Sequence, residues 1–515
     1  LYTREFERLN AQRFRTFRFS IYVLLCEHKL PFWLMNLIIG GDYYLRAKPM
    51  KALRKIGKGL VSAVGLFRPI KDGIPPKRCK YKVVLIGGFG YQDIGDEAMP
   101  HAVRVNLRKK LGQDLEIVML SPDPAGTEEM HGENSVQDFT RISFPKGASI
   151  PRKALAFAMT CFLYTSVWLE KYLGIRLALW PGARPALDAI KSSDLILNVG
   201  GGNINCVIPS ELYRKTTTYF LAKMLGKPVF VSGQTMGPYY GRFAKFYTRR
   251  ALNTVRMISF RDKETSERRL HDIGVRQPVM FDAADDAITL TGIRPDQARV
   301  LIERELGMTM DELDDSLLIM MNMKASLSLF KGKKRNSGLD QEIELMARIA
   351  DGLIERYQCR IVFMPTDFSG TVDDRVPHRK ILERMNHPES AFLIEGTYVD
   401  DELIGMIGLA DLAIGARYHF LVFAASRHVP FLGLASGVYQ RTKLEGLSRL
   451  CECEECYIDH DMEFAEIEKI WPQIEWIVDN KDAIRERLGQ QVPLLKEQSY
   501  RIIDEVADYL VSEAR

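Results

Sequence analysis

Val83-Val84-Leu85-Ile86-Gly87-Gly88-Phe89-Gly90-Tyr91-Gln92-Asp93-Ile94-Gly95-Asp96-Glu97-Ala98 decides the fold. The apolar, β-branched run before Gly87 predicts a parallel strand covered on both faces, and the glycines after it let backbone N–H groups approach a ligand closely. Asp93 or Asp96 is suited to cap the helix that follows, whose free amides favour negative charge. Gly88, Gly90 and Gly95 do not make the dinucleotide fingerprint G-x-G-x-x-G, and no lysine completes a Walker A loop. The stretch therefore predicts a turn that holds an anion, with a plain strand-to-helix turn as the alternative.

Outward from this stretch the same grammar repeats. Buried strands are predicted at 82–86, 115–120, 195–199, 229–232, 257–260 and 278–281, with helical patterns between them. A polar stretch around 294–315 follows, and then a second set at 317–321, 360–364, 391–394, 412–414 and 430–434. Alternating β and α segments predict doubly wound parallel sheets. We expect an α/β protein with two Rossmann-like domains, 81–295 and 296–480, an apolar helical insertion around 150–182 and a covering helix over 481–515. Residues 1–80 read as a helical extension.

At 515 residues the chain exceeds what one core normally supports. Eight cysteines, mostly isolated and several in apolar runs, suit a reducing compartment rather than a disulfide scaffold. Cys451, Cys453 and Cys456 with His460 could be read as a zinc site, but no second paired half exists and Cys456-Tyr457-Ile458 looks like a strand.

The net charge of +5 is uneven: residues 46–82 hold twelve Lys or Arg against Asp72 alone, a local +11 that leaves −6 for the rest. Nucleic acid is one reason for such a segment, but the apolar residues within it suggest another. Leu53, Ile56, Leu60, Val64 and Phe67 recur at helical spacing, with Arg54, Lys55 and Lys58 on other faces. This is an amphipathic basic helix of the kind that lies in an anionic membrane interface; a helix packed on its own domain is the alternative. Residues 154–169 carry no charge yet are too few to span a bilayer, so interfacial insertion or core packing remain. Trp168 and Trp180 would suit a headgroup-level anchor. The expectation is a cytoplasmic protein attached peripherally to the membrane by two patches, with no spanning helix, no cleavable signal and no nucleic-acid partner.

In open α/β sheets ligands sit beyond the carboxyl ends of the strands. Four loops stand out there: the Gly87–Asp96 turn, Gly200-Gly201-Gly202-Asn203, Ser232-Gly233-Gln234-Thr235-Met236-Gly237-Pro238, and Arg261-Asp262. The second domain supplies Arg417-Tyr418-His419 at a strand-to-helix junction and Lys443-Leu444-Glu445-Gly446 after another strand. Arg417 and His419 at a helix start can both address an anion; a capping or surface arginine is the bland alternative. His419 is the best placed of the nine histidines.

This ordered set resembles the polysaccharide pyruvyl transferase family. Its marks are Gly95-Asp96-Glu97, the triple glycine, Gly233-Gln234-Thr235-Met236-Gly237-Pro238, Arg261-Asp262, Arg417-Tyr418-His419 and Lys443-Leu444-Glu445-Gly446, over about 81–459. Asp93 stands where the family commonly has asparagine, and the segments before Tyr81 and around Ala154 look like additions. The resemblance implies a GT-B-like fold and transfer of the pyruvyl group of phosphoenolpyruvate to sugar hydroxyls as a cyclic ketal. The scheme needs no metal or cofactor, and the membrane-seeking patches suggest that the acceptor is a lipid-linked, or else polymeric, saccharide.

By the same analogy Arg261 and Arg417 grip the donor from opposite domains. His419 transfers a proton or stabilises leaving phosphate, and Asp96 acts as base or orients the sugar. Gly88, Gly90, Gly201, Gly202, Asn203, Gln234, Tyr418, Lys443 and Glu445 complete the expected binding set. The alternatives are a glycosyltransferase using a nucleotide sugar, for which Glu445 is the acid on offer, and a non-catalytic membrane-bound assembly partner.

Overall fold

The structure, a computed structural model, describes residues 79–143, 147–309, 316–324, 335–369, 373–435, 437–459 and 467–513. The basic amphipathic helix expected over 51–67, like all of 1–78, lies outside the described residues. The first sheet comprises β1 (Tyr81–Ile86), β2 (Leu115–Ser121), β3 (Asn134–Gln137), β4 (Leu195–Asn198), β5 (Gly201–Ile204), β6 (Val229–Met236), β7 (Met257–Phe260) and β8 (Val279–Asp282). The second comprises β9 (Leu318–Asn322), β10 (Arg360–Phe363), β11 (Ala391–Leu393), β12 (Leu412–Gly415), β13 (Phe431–Ala435) and β14 (Tyr457–Asp459).

Every strand pairing in both sheets is parallel, for example Val84 beside Val118 and Ile196, or Met320 beside Val362 and Ala413. The interior strands are mostly apolar and buried because helices cover both faces, with polar residues such as Lys82 in β1 and Gln234 in β6 as exceptions. The orders β3-β2-β1-β4-β6-β7-β8 and β11-β10-β9-β12-β13-β14 reverse direction between β1 and β4, and between β9 and β12. Those are the places where adjacent connections part to opposite faces and leave a crevice.

Two strands escaped the sequence reading. β3 is a polar edge strand, Asn-Ser-Val-Gln, with no apolar run to betray it. β5 contains two of the three consecutive glycines: the segment expected as a loop continues as a strand, pairing Gly201 with Gln234 and Ile204 with Met236 across an irregular register.

Six helices matter to the site. They are α1 (Ile94–Leu111), α2 (Ile150–Leu173), α3 (Pro209–Leu225), α4 (Tyr418–Ser426), α5 (Gly437–Leu450) and α6 (Lys481–Glu513). Ile94, Ala98, Met99 and Ala102 of α1 enter the core of the second sheet. Val103 and Leu107 enter a core of the first with Val83 and Leu85. α1 is thus shared apolar ground between the halves, and each large apolar side chain buried there contributes about 1.5–3 kcal/mol. The final helix does the same at greater length. Ile484, Leu488, Val492 and Leu495 pack into the second core, and Ile502, Ile503, Val506 and Leu510 into the first.

Candidate functional site between the two sheets

The first glycine turn is closed on itself. Gly90 has φ +86 and a Cβ there would lie 2.3 Å from Ser121 Oγ, so only glycine fits. Its N–H donates to Glu97 Oε1 at 2.7 Å, the N–H of Tyr91 donates to the same oxygen at 3.2 Å, and Glu97 Oε2 is 2.9 Å from His131 Nε2. At Gly90 the expectation of an anion-holding turn is therefore corrected: an internal carboxylate already occupies that amide. Asp93 caps α1 by accepting from the Gly95 N–H at 3.1 Å, which leaves the Asp96 side chain free to face Gly88 and the β5 strand.

Glycines let the elements of this seam close. A Cβ on Gly88 would meet Asn203 Nδ2 at 2.2 Å and Asp96 Oδ2 at 3.3 Å. One on Gly202 would meet the Tyr439 hydroxyl at 2.2 Å and Lys443 Cε at 2.9 Å. Tyr439, from α5 of the second half, donates to the Gly202 carbonyl at 2.6 Å. A Cβ on Gly95 would sit 2.1 Å from His419 Nδ1, so the amino end of α1 abuts the imidazole at the start of α4.

Arg261, at the end of β7, is 1% exposed. Its Nε donates to Thr235 Oγ1 at 3.0 Å and its Nη1 to Asp285, while its guanidinium lies 4.3 Å from the centre of the Tyr418 ring. Nη2 is buried without a hydrogen-bond partner among the described residues, as are Asn203 Nδ2, Gln234 Oε1, Asp262 Oδ2, the Tyr418 hydroxyl and His419 Nε2. Such atoms occur elsewhere too, for example the Tyr219 hydroxyl and His378 Nδ1; those named here lie at or just beyond the carboxyl ends of strands, where ligands bind in open α/β sheets. His419 Nε2 is 3.5 Å from Asp285 Oδ2. Burial would raise the Asp285 carboxyl, but Arg261 and His419 overcome it and hold the group below the usual range.

The titrating groups around this cluster are displaced toward neutrality. Asp96 is pushed up to about 6 by burial and by Asp93. Lys443 is brought down to about 8 by burial and then by Arg261; its Nζ lies 4.6 Å from the centre of the Tyr439 ring and 5.7 Å from that of Tyr418. Asp262 and Asp286 are each raised to about 7, chiefly by burial. Asp286 accepts from the Gly200 N–H at 3.0 Å and from Ser232 Oγ at 2.6 Å. Shifts of this kind concentrate where acid–base chemistry is done.

Arg417 is placed differently from what the sequence suggests. It lies at the β12 reversal point, yet its guanidinium is ringed by three carboxylates: Asp374 at 2.6 Å, Asp367 at 2.9 Å and Asp93 at 3.2 Å. The two arginines therefore do not form a matched open clamp. Arg261 keeps an unpaired edge, whereas Arg417 ties Asp93 of the first half to the second. The tie continues in the backbone, where the Ile94 N–H donates to the Thr366 carbonyl at 3.0 Å.

Glu445 is not brought into the cluster. Its carboxylate pairs with Arg449 at 2.7 Å on the outer side of α5, while a Cβ on Gly446 would lie 3.3 Å from Asp262 Cβ. Sequence reasoning missed Asp285, Asp286, Asp93 as an Arg417 partner, and Tyr439. An acid pair directly after the apolar β8 end, Ala283-Ala284-Asp285-Asp286, was the available signal for the first two.

Among the described residues one group is spaced for a cation, His101, Asp400 and Asp401. His101 is farther along α1, with Nδ1 2.7 Å from Asp400 Oδ2. Cys451, Cys453 and Cys456 are buried in the second core, Cys453 Sγ donating to the Cys451 carbonyl at 3.2 Å; His460 lies outside the described residues.

The two reversal points facing each other across shared helices define a two-domain α/β protein of the GT-B type. Solved structures agree. A protein assigned as a UDP-N-acetylglucosamine 2-epimerase from Listeria monocytogenes aligns with a TM-score of 0.51 at 13% identity, covering 83% of this chain and 96% of its own. The S. aureus MnaA–UDP complex aligns with a TM-score of 0.50 at 13% identity, covering 84% and 97%. At such identity the likeness concerns the fold alone. Among curated proteins none matches the chain. A family model described as polysaccharide pyruvyl transferase matches residues 93–437, and the chain belongs to that family of transferases.

Proposed function

We propose that this transferase moves the pyruvyl group of phosphoenolpyruvate onto two hydroxyls of a saccharide, releasing phosphate and leaving a cyclic ketal, in the building of a cell-surface polysaccharide. The observation that carries the reading is the buried, unpaired edge of Arg261 beside Lys443, His419 and Asp96 in the seam between the domains. Phosphoenolpyruvate presents a carboxylate and a phosphate, and a guanidinium fork plus an ammonium is a matching cation set.

Chemistry follows from the same groups. The enol methylene takes a proton, for which His419 is the donor, and the carbon bearing the phosphate becomes oxocarbenium-like. One sugar hydroxyl adds there and gives its proton to Asp96, which at about 6 is mostly carboxylate at neutral pH. The carbon–oxygen bond to phosphate then breaks, the proton held by Asp96 leaving with the phosphate, and the second hydroxyl closes the ring as its proton passes to His419, which restores both groups. Arg261 and Lys443 balance the charge on the departing phosphate. No metal or cofactor enters this scheme.

The acceptor we favour is a saccharide on a lipid carrier at the cytoplasmic face of the membrane. No helix among the described residues is long and apolar enough to cross a bilayer, and peripheral attachment is part of the proposal. The nucleotide-sugar reading would need an acid for a ribose, and Glu445 faces Arg449 instead. A purely structural role would leave Arg261 Nη2 buried to no purpose. The test is phosphate release from labelled phosphoenolpyruvate with lipid-linked saccharides, against nucleotide sugars under the same conditions. Turnover of the nucleotide sugar without phosphoenolpyruvate would overturn the proposal.

A further inference from the structure

The two halves of α2 lead different lives. The second half is anchored: Leu163, Tyr164 and Val167 are buried, the Tyr164 hydroxyl is 2.8 Å from that of Tyr247, and Lys171 Nζ donates to the Met224 carbonyl at 2.6 Å. The first half is held on one face, where Ala156 is buried and Met159 packs against the core, and open on the other. Ile150 is 59% exposed, Leu155 61%, Phe157 41% and Phe162 43%. Arg152 and Lys153 are exposed among them, and residues 149–162 contain no acid.

Water is a poor solvent for such a tip, which gathers several large apolar side chains on one element. Its polar groups are suited to a drier one. Thr160 returns its hydroxyl to the Ala156 carbonyl at 2.8 Å, so it does not enter lipid unpaired. The basic pair complements an anionic headgroup layer.

Direction adds a second argument. α2 runs parallel to α3, since Tyr164 meets Phe220 at 6.2 Å between ring centres and Lys171 meets Met224. At about 1.5 Å per residue, Ile150 lies roughly 21 Å before Tyr164, whereas α3 starts only about 16 Å before Phe220. The free tip thus overshoots the start of α3 by about one turn. α3 begins just after β5, at the edge of the first sheet that carries the site. Ile208 and Tyr240, 37% and 62% exposed, emerge at that same edge.

We propose that the first half of α2, from Ile150 to Phe162, inserts into the headgroup region of an anionic bilayer and sets the interdomain seam facing the lipid surface. Docking stands on the helix alone. Only its service to a lipid-linked acceptor rests on the pyruvyl-transfer reading, and the measurement below needs neither donor nor acceptor.

The test uses the full chain with Phe157→Trp, its extra emission taken as the difference from wild type. On adding phosphatidylglycerol vesicles with brominated acyl chains, that emission should shift to the blue and be quenched, with little change for phosphatidylcholine vesicles. A Leu155→Glu/Phe157→Glu variant should lose the α2 contribution to vesicle flotation, roughly tenfold or more if no other segment holds the protein. Flotation of the protein with residue 157 still open to aqueous quencher would overturn the proposal, because another surface would then dock. So would a residue 157 already shielded without vesicles, whether in a dimer, meaning a second copy covers it, or in a monomer, meaning the chain's own 1–78 segment does. No flotation with anionic vesicles would overturn it outright.

Discussion

At the scale of single residues, the reaction we propose turns on an arginine that is only partly paired. Arg261 holds Asp285 and Thr235 and stacks on Tyr418, yet keeps Nη2 free. Arg261→Lys retains the charge but not the fork, and one charge-assisted hydrogen bond is worth about 1.5–3 kcal/mol. KM for phosphoenolpyruvate should rise roughly tenfold or more in initial-rate measurements; an unchanged KM would remove Arg261 from the donor site.

The neighbouring carboxyl and ammonium set a pH window. Asp96, near 6, must lose its proton to act as base, so kcat/KM should climb through about pH 6. Lys443, near 8, must keep its proton to pair with the donor, so the rate should fall above about pH 8. Asp96→Asn should lower the plateau by about 10²–10⁴-fold and erase the acid limb. An acid limb that survives in this variant belongs to another group. These residues were legible in the sequence as motif members, but their titration was not, because the burial and charges that displace them come from both domains.

Two of the closest meetings of elements here depend on missing side chains. The amino end of α1 reaches α4 because Gly95 leaves room for the imidazole of His419, and β5 accepts α5 because Gly202 leaves room for Tyr439 and Lys443. A methyl at Gly95 would lie 2.4 Å from His419 Cβ as well as 2.1 Å from Nδ1, so Gly95→Ala should move α1 against α4, cost at least tenfold in kcat and lower the thermal midpoint by an overpacking cost of about 1–3 kcal/mol. Full activity in Gly95→Ala, with the variant folded, would show that His419 can move freely. Glycine-rich stretches announce such contacts without saying with what. Gly200-Gly201-Gly202 reads as a loop because glycine lacks a strand-forming side chain, yet pairing with β6 overrides that local weakness.

For the whole molecule, Arg417 is a joint. It gathers Asp93 from one half and Asp367 and Asp374 from the other in a setting where it is 6% exposed. Burial alone would raise the Asp93 carboxyl, but Arg417 and then His419 hold it below its ordinary value. Arg417→Met would strand those acids, and removing one side of a buried ionic network typically costs about 3–5 kcal/mol. The denaturant midpoint should fall accordingly, and Asp374→Asn in the same background should recover part of the loss. Lost phosphate release with an unshifted midpoint would instead return Arg417 to the donor site proper. α1 and α6, each buried in a core of both sheets, make the two domains one cooperative body at this joint.

By itself the sequence determined the two wound sheets, the order of their loops and the series of glycine, arginine and histidine motifs. Burial on both faces imprints each strand as a local apolar run, and a turn needs its glycine wherever it ends up in space. Only the tertiary structure decided which loops face each other and which polar atoms are already paired. Glu97 fills the Gly90 amide, three acids fill Arg417, and Glu445 turns outward to Arg449. Arg417 and Asp93 are 324 residues apart in the chain. Electrostatic partnership falls with distance in space, not along the chain, so no local pattern could carry it.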